Sequence, residues 1–324
     1  MKRAFTMIEL VLVIVILGII SLFTFEMTLQ IFRSYTYSKM INTLEFQTEI
    51  TLEQIAKRLG YRVKTSPIAR KRALSAISHG IDLGTGDFLP TLDPRAKSSD
   101  NYNILEFVPY AYEAFRGGIS PDANKPTYTG VADVDLSSSA IGLKLPGSKV
   151  KTNQKIFEDL APNIPTGSLE SGFLAIFFKD IYKEDRKDIG YMTSSASANP
   201  TVATITSIVD DETVKLDPKY IGKNISEIYH IAYTANAIVP QNINTTNGDF
   251  DLILYYDYRP WKNQKFPENA SNATLAKNVT RFNFKEDSGD AGGAISLKLC
   301  IRASKETTGI DSEKMSICKS KAVY

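Results

Sequence analysis

The sequence predicts an α+β protein: one long N-terminal helix packed on a mostly antiparallel β-sheet domain. Three observations carry this. Residues 5–25 are an almost unbroken apolar run. Residues 41–59 continue it with apolar side chains three or four apart, the spacing of an amphipathic helix. From Gly172 onward the chain becomes runs of β-branched and aromatic residues divided by turn signals. A helical stretch followed by a series of strands segregates into the two layers of an α+β fold.

The first element reads FTMIELVLVIVILGIISLFTF from Phe5 to Phe25, and Glu9 is its one charged side chain. About 20 apolar residues cross a bilayer core, so the span has to start near Phe5. A carboxylate on such a helix costs roughly 2.5–3.5 kcal/mol at mid-membrane and less near the interface. Glu9 therefore calls for a partner. Upstream lie only Met1, Lys2, Arg3 and Ala4, a basic leader shorter than an ordinary secretory n-region, and no A-x-A site follows the apolar run.

The segment KRAFTMIEL with the apolar run behind it resembles the class III signal of type IV pilins and type II secretion pseudopilins. That resemblance implies a prepilin peptidase that cleaves between Ala4 and Phe5 and N-methylates Phe5. It also implies an inner-membrane anchor that later becomes the packing core of a filament. Glu9 then neutralises the Phe5 amine of a neighbouring subunit, which satisfies the condition for burying charges. Two positions depart from the family pattern: Ala4 stands where glycine is usual before the cut, and Glu26 stands where many major pilins carry proline. The implied division is a leader at 1–4, a membrane and filament-core helix at 5–25, an amphipathic continuation at 26–60 and an extracytoplasmic globular domain at 61–324.

The chain has 324 residues, 43% hydrophobic and 23% charged, an ordinary globular composition with room for one large or two small domains beyond the anchor. The net charge is +2. Both surplus positives, Lys2 and Arg3, leave with the implied leader, so the mature chain is formally neutral, which argues against bulk electrostatic binding of nucleic acid. A basic leader held in the cytoplasm places the C-terminal bulk across the membrane, in the periplasm of a bacterium. In an exported domain the two cysteines, Cys300 and Cys318, are expected to form a disulfide, worth roughly 3 kcal/mol for a loop of this length. The alternative, a metal site, lacks ligand spacing, since the two histidines, His79 and His230, are remote.

Taken in order, the helix is expected from about Thr6 to Leu59. The stripe Ile41, Leu44, Thr48, Leu52, Ile55 and Leu59 faces the domain, and Gly60 ends the helix at C′. At 1.5 Å per residue it is roughly 80 Å long. Next come Lys57, Arg58, Arg62, Lys64, Arg70, Lys71 and Arg72, seven basic residues within sixteen and no acid. One reading is contact with DNA or anionic lipid. The other is charge favourable to a helix C-terminus followed by a solvated loop. Only Tyr61 interleaves as a stacking platform, which favours the second.

From His79 to about Gly172 the chain reads as loops, with strands at 104–108 and 140–145, and Gly84-Thr85-Gly86 reads as a turn. Strands are then expected over 172–178, 201–209, 226–239 and 249–261, the last entered through an Asn247-Gly248 hairpin turn. Further strands follow at 279–284 and 294–302, separated by a turn at Gly289–Gly293. A last short strand at 315–319 brings Cys318 beside Cys300. The pattern of AYTANAIV, LILYYDYRPW, NVTRFNFKE and ISLKLCIR also resembles the C-terminal half of large J-class minor pseudopilins. Glu9 argues against the K-class tip subunit, which lacks that acid.

No catalytic constellation emerges. Thr166-Gly167-Ser168-Leu169-Glu170 is not a nucleophile elbow, and His230 sits between Tyr229 and Ile231 as a sheet-face residue. Acidic clusters stand at Asp133-Asp135, Asp210-Asp211-Glu212 and Glu286-Asp287-Ser288-Gly289-Asp290. The last resembles part of a calcium loop without EF-hand spacing; a Ca²⁺ site there competes with a solvated hairpin turn. The triplets at Asn224 and Asn278 carry little weight in the bacterial chain that the resemblance implies. The expectation is a non-enzymatic minor pilin or pseudopilin without cofactor. Its partners would be prepilin peptidase, other subunits, the inner membrane, and secreted substrate or DNA. The rival readings are an extracytoplasmic enzyme or ligand-binding domain that borrows the anchor, and a plain single-span protein.

Overall fold

The computed structural model describes residues 6–70, 88–90, 103–115, 126–165, 167–179, 202–220, 225–266, 268–286, 293–303 and 315–324. Helix α1 runs unbroken over Met7–Gly60. Its end differs from expectation. Gly60 is the last helical residue, and Tyr61 caps it at φ −96°, so no left-handed glycine is used. The strands and short helices follow as β1 (Ile68–Arg70), β2 (Phe88–Pro90), β3 (Ile104–Phe107), α2 (Tyr112–Phe115), β4 (Asp133–Ser138), β5 (Gly142–Lys144), α3 (Lys155–Leu160) and β6 (Ala175–Phe178). Then come β7 (Ala203–Asp210), β8 (Thr213–Leu216), β9 (Tyr229–Ala232), β10 (Ala235–Gln241), β11 (Phe250–Tyr258), β12 (Ser271–Glu286), β13 (Ile295–Arg302) and β14 (Ser316–Val323).

Among the described residues these strands form two antiparallel sheets. The first has the order β14-β13-β12-β11-β10-β3-β1-β2 and the second β4-β5-β8-β7-β6-β9. The α+β class is as expected. The second half of α1 lies across β12–β14. Leu44, Thr48, Leu52, Ile55 and Leu59 are buried there as the periodicity predicted, and Ile41 is half-buried. Lys319 and Lys321, two apart on β14, pair with Glu49 and Glu53, four apart on α1. The spacings match, since two strand residues and four helical residues each advance about 6–7 Å.

The first sheet is covered on both faces, which explains the near-continuous apolar character of β11. Leu252 and Leu254 face α1, while Ile253, Tyr255 and Tyr258 face Phe177 of β6 and Ala232 of β9 in the second sheet. The second sheet builds its own core from Ile176, Phe178, Tyr229 and Ile231 with Phe157 of α3.

Several expectations need correction. The stretch 226–239 is two strands, β9 and β10, which lie in different sheets. The break falls at Thr234, whose hydroxyl donates to the Ala235 carbonyl (2.8 Å) and accepts from the Asp257 amide (2.8 Å), so local bonds replace the ladder. β11 stops at Tyr258, because Pro260 opens a single 3-10 turn. β12 begins eight residues earlier than expected, at Ser271. Its first half, SNATLAKN, is polar and bulged against β11, with Asn278 at φ 54°, and so shows no alternation. The region read as loops contains α2, β4 and α3. The turns at 83–87 and within 287–292 lie outside the described residues. The Asn247-Gly248 turn is present, with Gly248 at φ 76° and the Asn247 side chain accepting from the Asp249 amide. Glycine is also required at Gly142, where a Cβ would stand 2.7 Å from the Val214 carbonyl oxygen of the neighbouring strand.

Candidate functional site

The most distinctive surface is the first half of α1. Its 18-residue apolar window is entirely exposed, and the helix is long and apolar enough to cross a membrane, as single-pass anchoring requires. Three of its hydroxyls turn onto the helix's own backbone. Ser21, Thr24 and Thr28 each donate to a carbonyl one turn back at 2.7 Å, which removes their hydroxyls from any apolar surroundings. Ala4 and Phe5 lie outside the described residues. Glu9 is described and exposed: its Oε2 accepts from the Thr6 amide (3.3 Å) and the Thr6 hydroxyl (3.1 Å), closing a capping box. A carboxylate over the first turn also complements the positive end of the helix dipole. Glu9 therefore already has a local role, and its outward-facing position leaves it open to a group from a neighbouring chain.

The run of basic residues does not form one surface. Lys57, Arg58 and Lys64 are exposed. Arg62 is buried, with its guanidinium donating to the carbonyls of Leu59 (3.0 Å) and Gly293 (2.7 Å), and burial lowers its pKa. Arg70 is also buried. It forms an ion pair with Glu106 of β3 beside the ring of Phe266, and the Tyr258 hydroxyl donates to the same carboxylate at 2.7 Å. Lys71 and Arg72 lie outside the described residues. Of the five described members of that run, three are exposed and two are committed to the fold.

Tyr61, isolated within the basic run, gains two aromatic neighbours in the fold. Tyr61 stacks on Tyr112 at 4.0 Å between ring centroids and meets Tyr110 edge-on at 5.8 Å, and Tyr110 stacks on His230 at 4.6 Å. The Tyr-rich stretch PYAY at 109–112 was the available signal; the arrival of His230 from β9 had none. Burial pushes the His230 imidazole below its ordinary pKa, and Lys179 adds to the effect.

A second unforeseen cluster pins the two sheets together. Asp257 (φ 59°) forms a wholly buried ion pair with Arg259 and accepts from the Asn163 amide of the other sheet's loop at 2.8 Å.

Cys300 and Cys318 form the expected disulfide directly across β13 and β14, with Cα atoms 4.0 Å apart. Of the acidic clusters, Asp211 serves the fold. Partial desolvation raises its pKa, but the Thr152 amide and hydroxyl and the Lys149 ammonium outweigh this and hold it below the ordinary value. Asp133 caps its own turn by accepting from the Leu136 amide. In the calcium-like cluster Glu286 is buried at the end of β12, and Asp287 to Asp290 lie outside the described residues. Among the described residues no group of three or more His, Cys, Asp or Glu side chains could hold a metal ion. His79 is not described.

Comparison with protein families, with curated proteins and with solved structures finds no match for the chain.

Proposed function

We propose that the chain is a minor subunit of a pilin- or pseudopilin-type filament, made as a prepilin, cleaved after Ala4 and N-methylated on Phe5. The observation that carries this reading is the division of α1. Up to Phe25 the helix is apolar, exposed and carries the single charge Glu9, while its second half is packed on an antiparallel sheet. A simple anchor needs only about 20 apolar residues. A 54-residue helix rigidly continuous with the folded domain instead transmits the position of the domain to the membrane segment, as a stacked subunit requires. In the filament Glu9 faces the Phe5 amine of a neighbour, and the domain lies on the periplasmic side, where it meets other minor subunits and secreted substrate or DNA.

The mature terminus tests processing. In cells with active prepilin peptidase, mass spectrometry should find N-methylated Phe5; an intact Met1 would refute the assignment. Glu9→Ala should yield a subunit that is inserted and processed but incorporated into filaments at least tenfold less. The magnitude reflects the roughly 1.4 kcal/mol per decade applied to a buried charge left without its partner. Transformation frequency in a deletion strain distinguishes the machines. A collapse rescued by the restored gene indicates DNA uptake; an unchanged frequency in a competent host indicates secretion or adhesion.

A further inference from the structure

The Cys300–Cys318 disulfide is open to solvent from one side only. Cys300 is 3% exposed, whereas Cys318 stands exposed on β14, the edge strand of the first sheet. Leu297, Leu299 and Ile301 of β13 pack in the core shared with α1, so strand alternation puts Lys298 and Cys300 on the opposite face. Arg281 of β12 lies directly across from Cys300 on one side, as Cys318 does on the other. Residues paired in this way have Cβ atoms about 5 Å apart, and Lys298 follows about 7 Å along the strand. Arg281 and Lys298 are both exposed.

The charge in this part of the sheet has one sign. β12, β13 and β14 together carry seven basic residues and one acid, Glu286, which is buried. Lys319 and Lys321 are taken up by Glu49 and Glu53 of α1, and Arg302 pairs with Asp249 at 3.4 Å. Arg281 and Lys298 form no ion pair among the described residues. Such surroundings favour thiol exchange twice over. They draw an anionic thiolate to the surface, and they stabilise negative charge on the sulfur that leaves.

We propose that this disulfide is an exchange site for a small anionic thiol, which attacks Cys318 Sγ while Arg281 and Lys298 stabilise the departing Cys300 sulfur. The incoming thiolate forms a new S–S bond with Cys318 as the Cys300–Cys318 bond breaks. The electron pair of the broken bond passes to Cys300 Sγ, which then takes a proton from water. The products are a mixed disulfide on Cys318 and a thiol on Cys300. Burial of Cys300 closes the opposite direction of attack. After exchange β14 keeps only its ladder to β13 and its contacts with α1, so chemistry at one exposed sulfur loosens the strand that ties the sheet to the helix.

The test uses the full chain in micelles of an uncharged detergent, treated with glutathione, an anionic thiol, or cysteamine, a cationic one. Each rate is divided by the rate of the same thiol on an unstructured cystine peptide. Peptide mapping after acid quenching should place the mixed disulfide on Cys318. The normalised glutathione rate should exceed that of cysteamine by on the order of tenfold, the lower end of what surface charge adds to association. The R281Q/K298Q chain, altered only at exposed positions, should keep its Tm and lose most of that preference; K298Q alone should lose part of it. A mixed disulfide on Cys300, equal normalised rates for the two thiols, or a preference unaltered in both variants would each overturn the proposal. Exchange no faster than global unfolding, as read by hydrogen exchange, would overturn it as well.

Discussion

Two buried groups show how single side chains set the behaviour of the fold. The Glu106 carboxylate receives both the Arg70 guanidinium and the Tyr258 hydroxyl in the space between the sheets. Removing one partner of a buried ion pair costs far more than a surface pair is worth. Glu106→Ala is therefore expected to lower the unfolding free energy by about 3 kcal/mol or more in urea titrations, and Glu106→Gln by less, because the amide oxygen still accepts from Tyr258. His230 makes stability depend on pH. Its folded-state pKa lies below the ordinary 6.5 because burial disfavours the charged ring. As pH falls below about 6.5 the unfolded chain takes up a proton that the folded chain refuses, so stability is full above that value and declines beneath it. The wild-type Tm should fall between pH 7.5 and pH 5.5, and the His230→Phe chain should fall less. Neither role was readable in the sequence. Arg70 stood in a basic run, and only its place in β1, flanked by the buried Ile68 and Ala69, shows that it points inward.

Among the elements, α1 was almost fully legible, because a 3.6-residue apolar period without proline has only one structural solution in a chain of this length. The strands were legible as regions and not as pairings. β9 and β10 share one composition, and what assigns them to different sheets is a bond from Thr234 to a residue 23 positions away. The disulfide was legible because only two cysteines exist. Its effect belongs to β14, an edge strand held by one ladder, by Cys318 and by Lys319 and Lys321 against α1. The two exposed lysine pairs are screened by water and add little. The Cys300→Ser/Cys318→Ser chain should lose roughly 3 kcal/mol of stability, and hydrogen exchange should then be fastest in β14 of all the strands in its sheet.

At the scale of the whole molecule, nothing in the sequence signals that a second sheet closes over the far side of the first. That arrangement depends on contacts between segments remote in the chain. That remoteness has a kinetic consequence. Thr51 of α1 bonds to the Leu275 carbonyl 224 residues later, and Glu49 and Glu53 meet lysines 270 and 268 residues away. The stripe from Met40 to Leu59 therefore leaves the ribosome long before anything exists to cover it. Closing loops of this length is slow, and an apolar helix left bare in the meantime invites aggregation. Insertion of the preceding residues into a bilayer as they emerge would hold each nascent chain apart from its copies during that interval. Translation in a membrane-free extract is thus expected to give mostly aggregated chain, and addition of vesicles during synthesis, but not after it, to recover the folded domain on the vesicles.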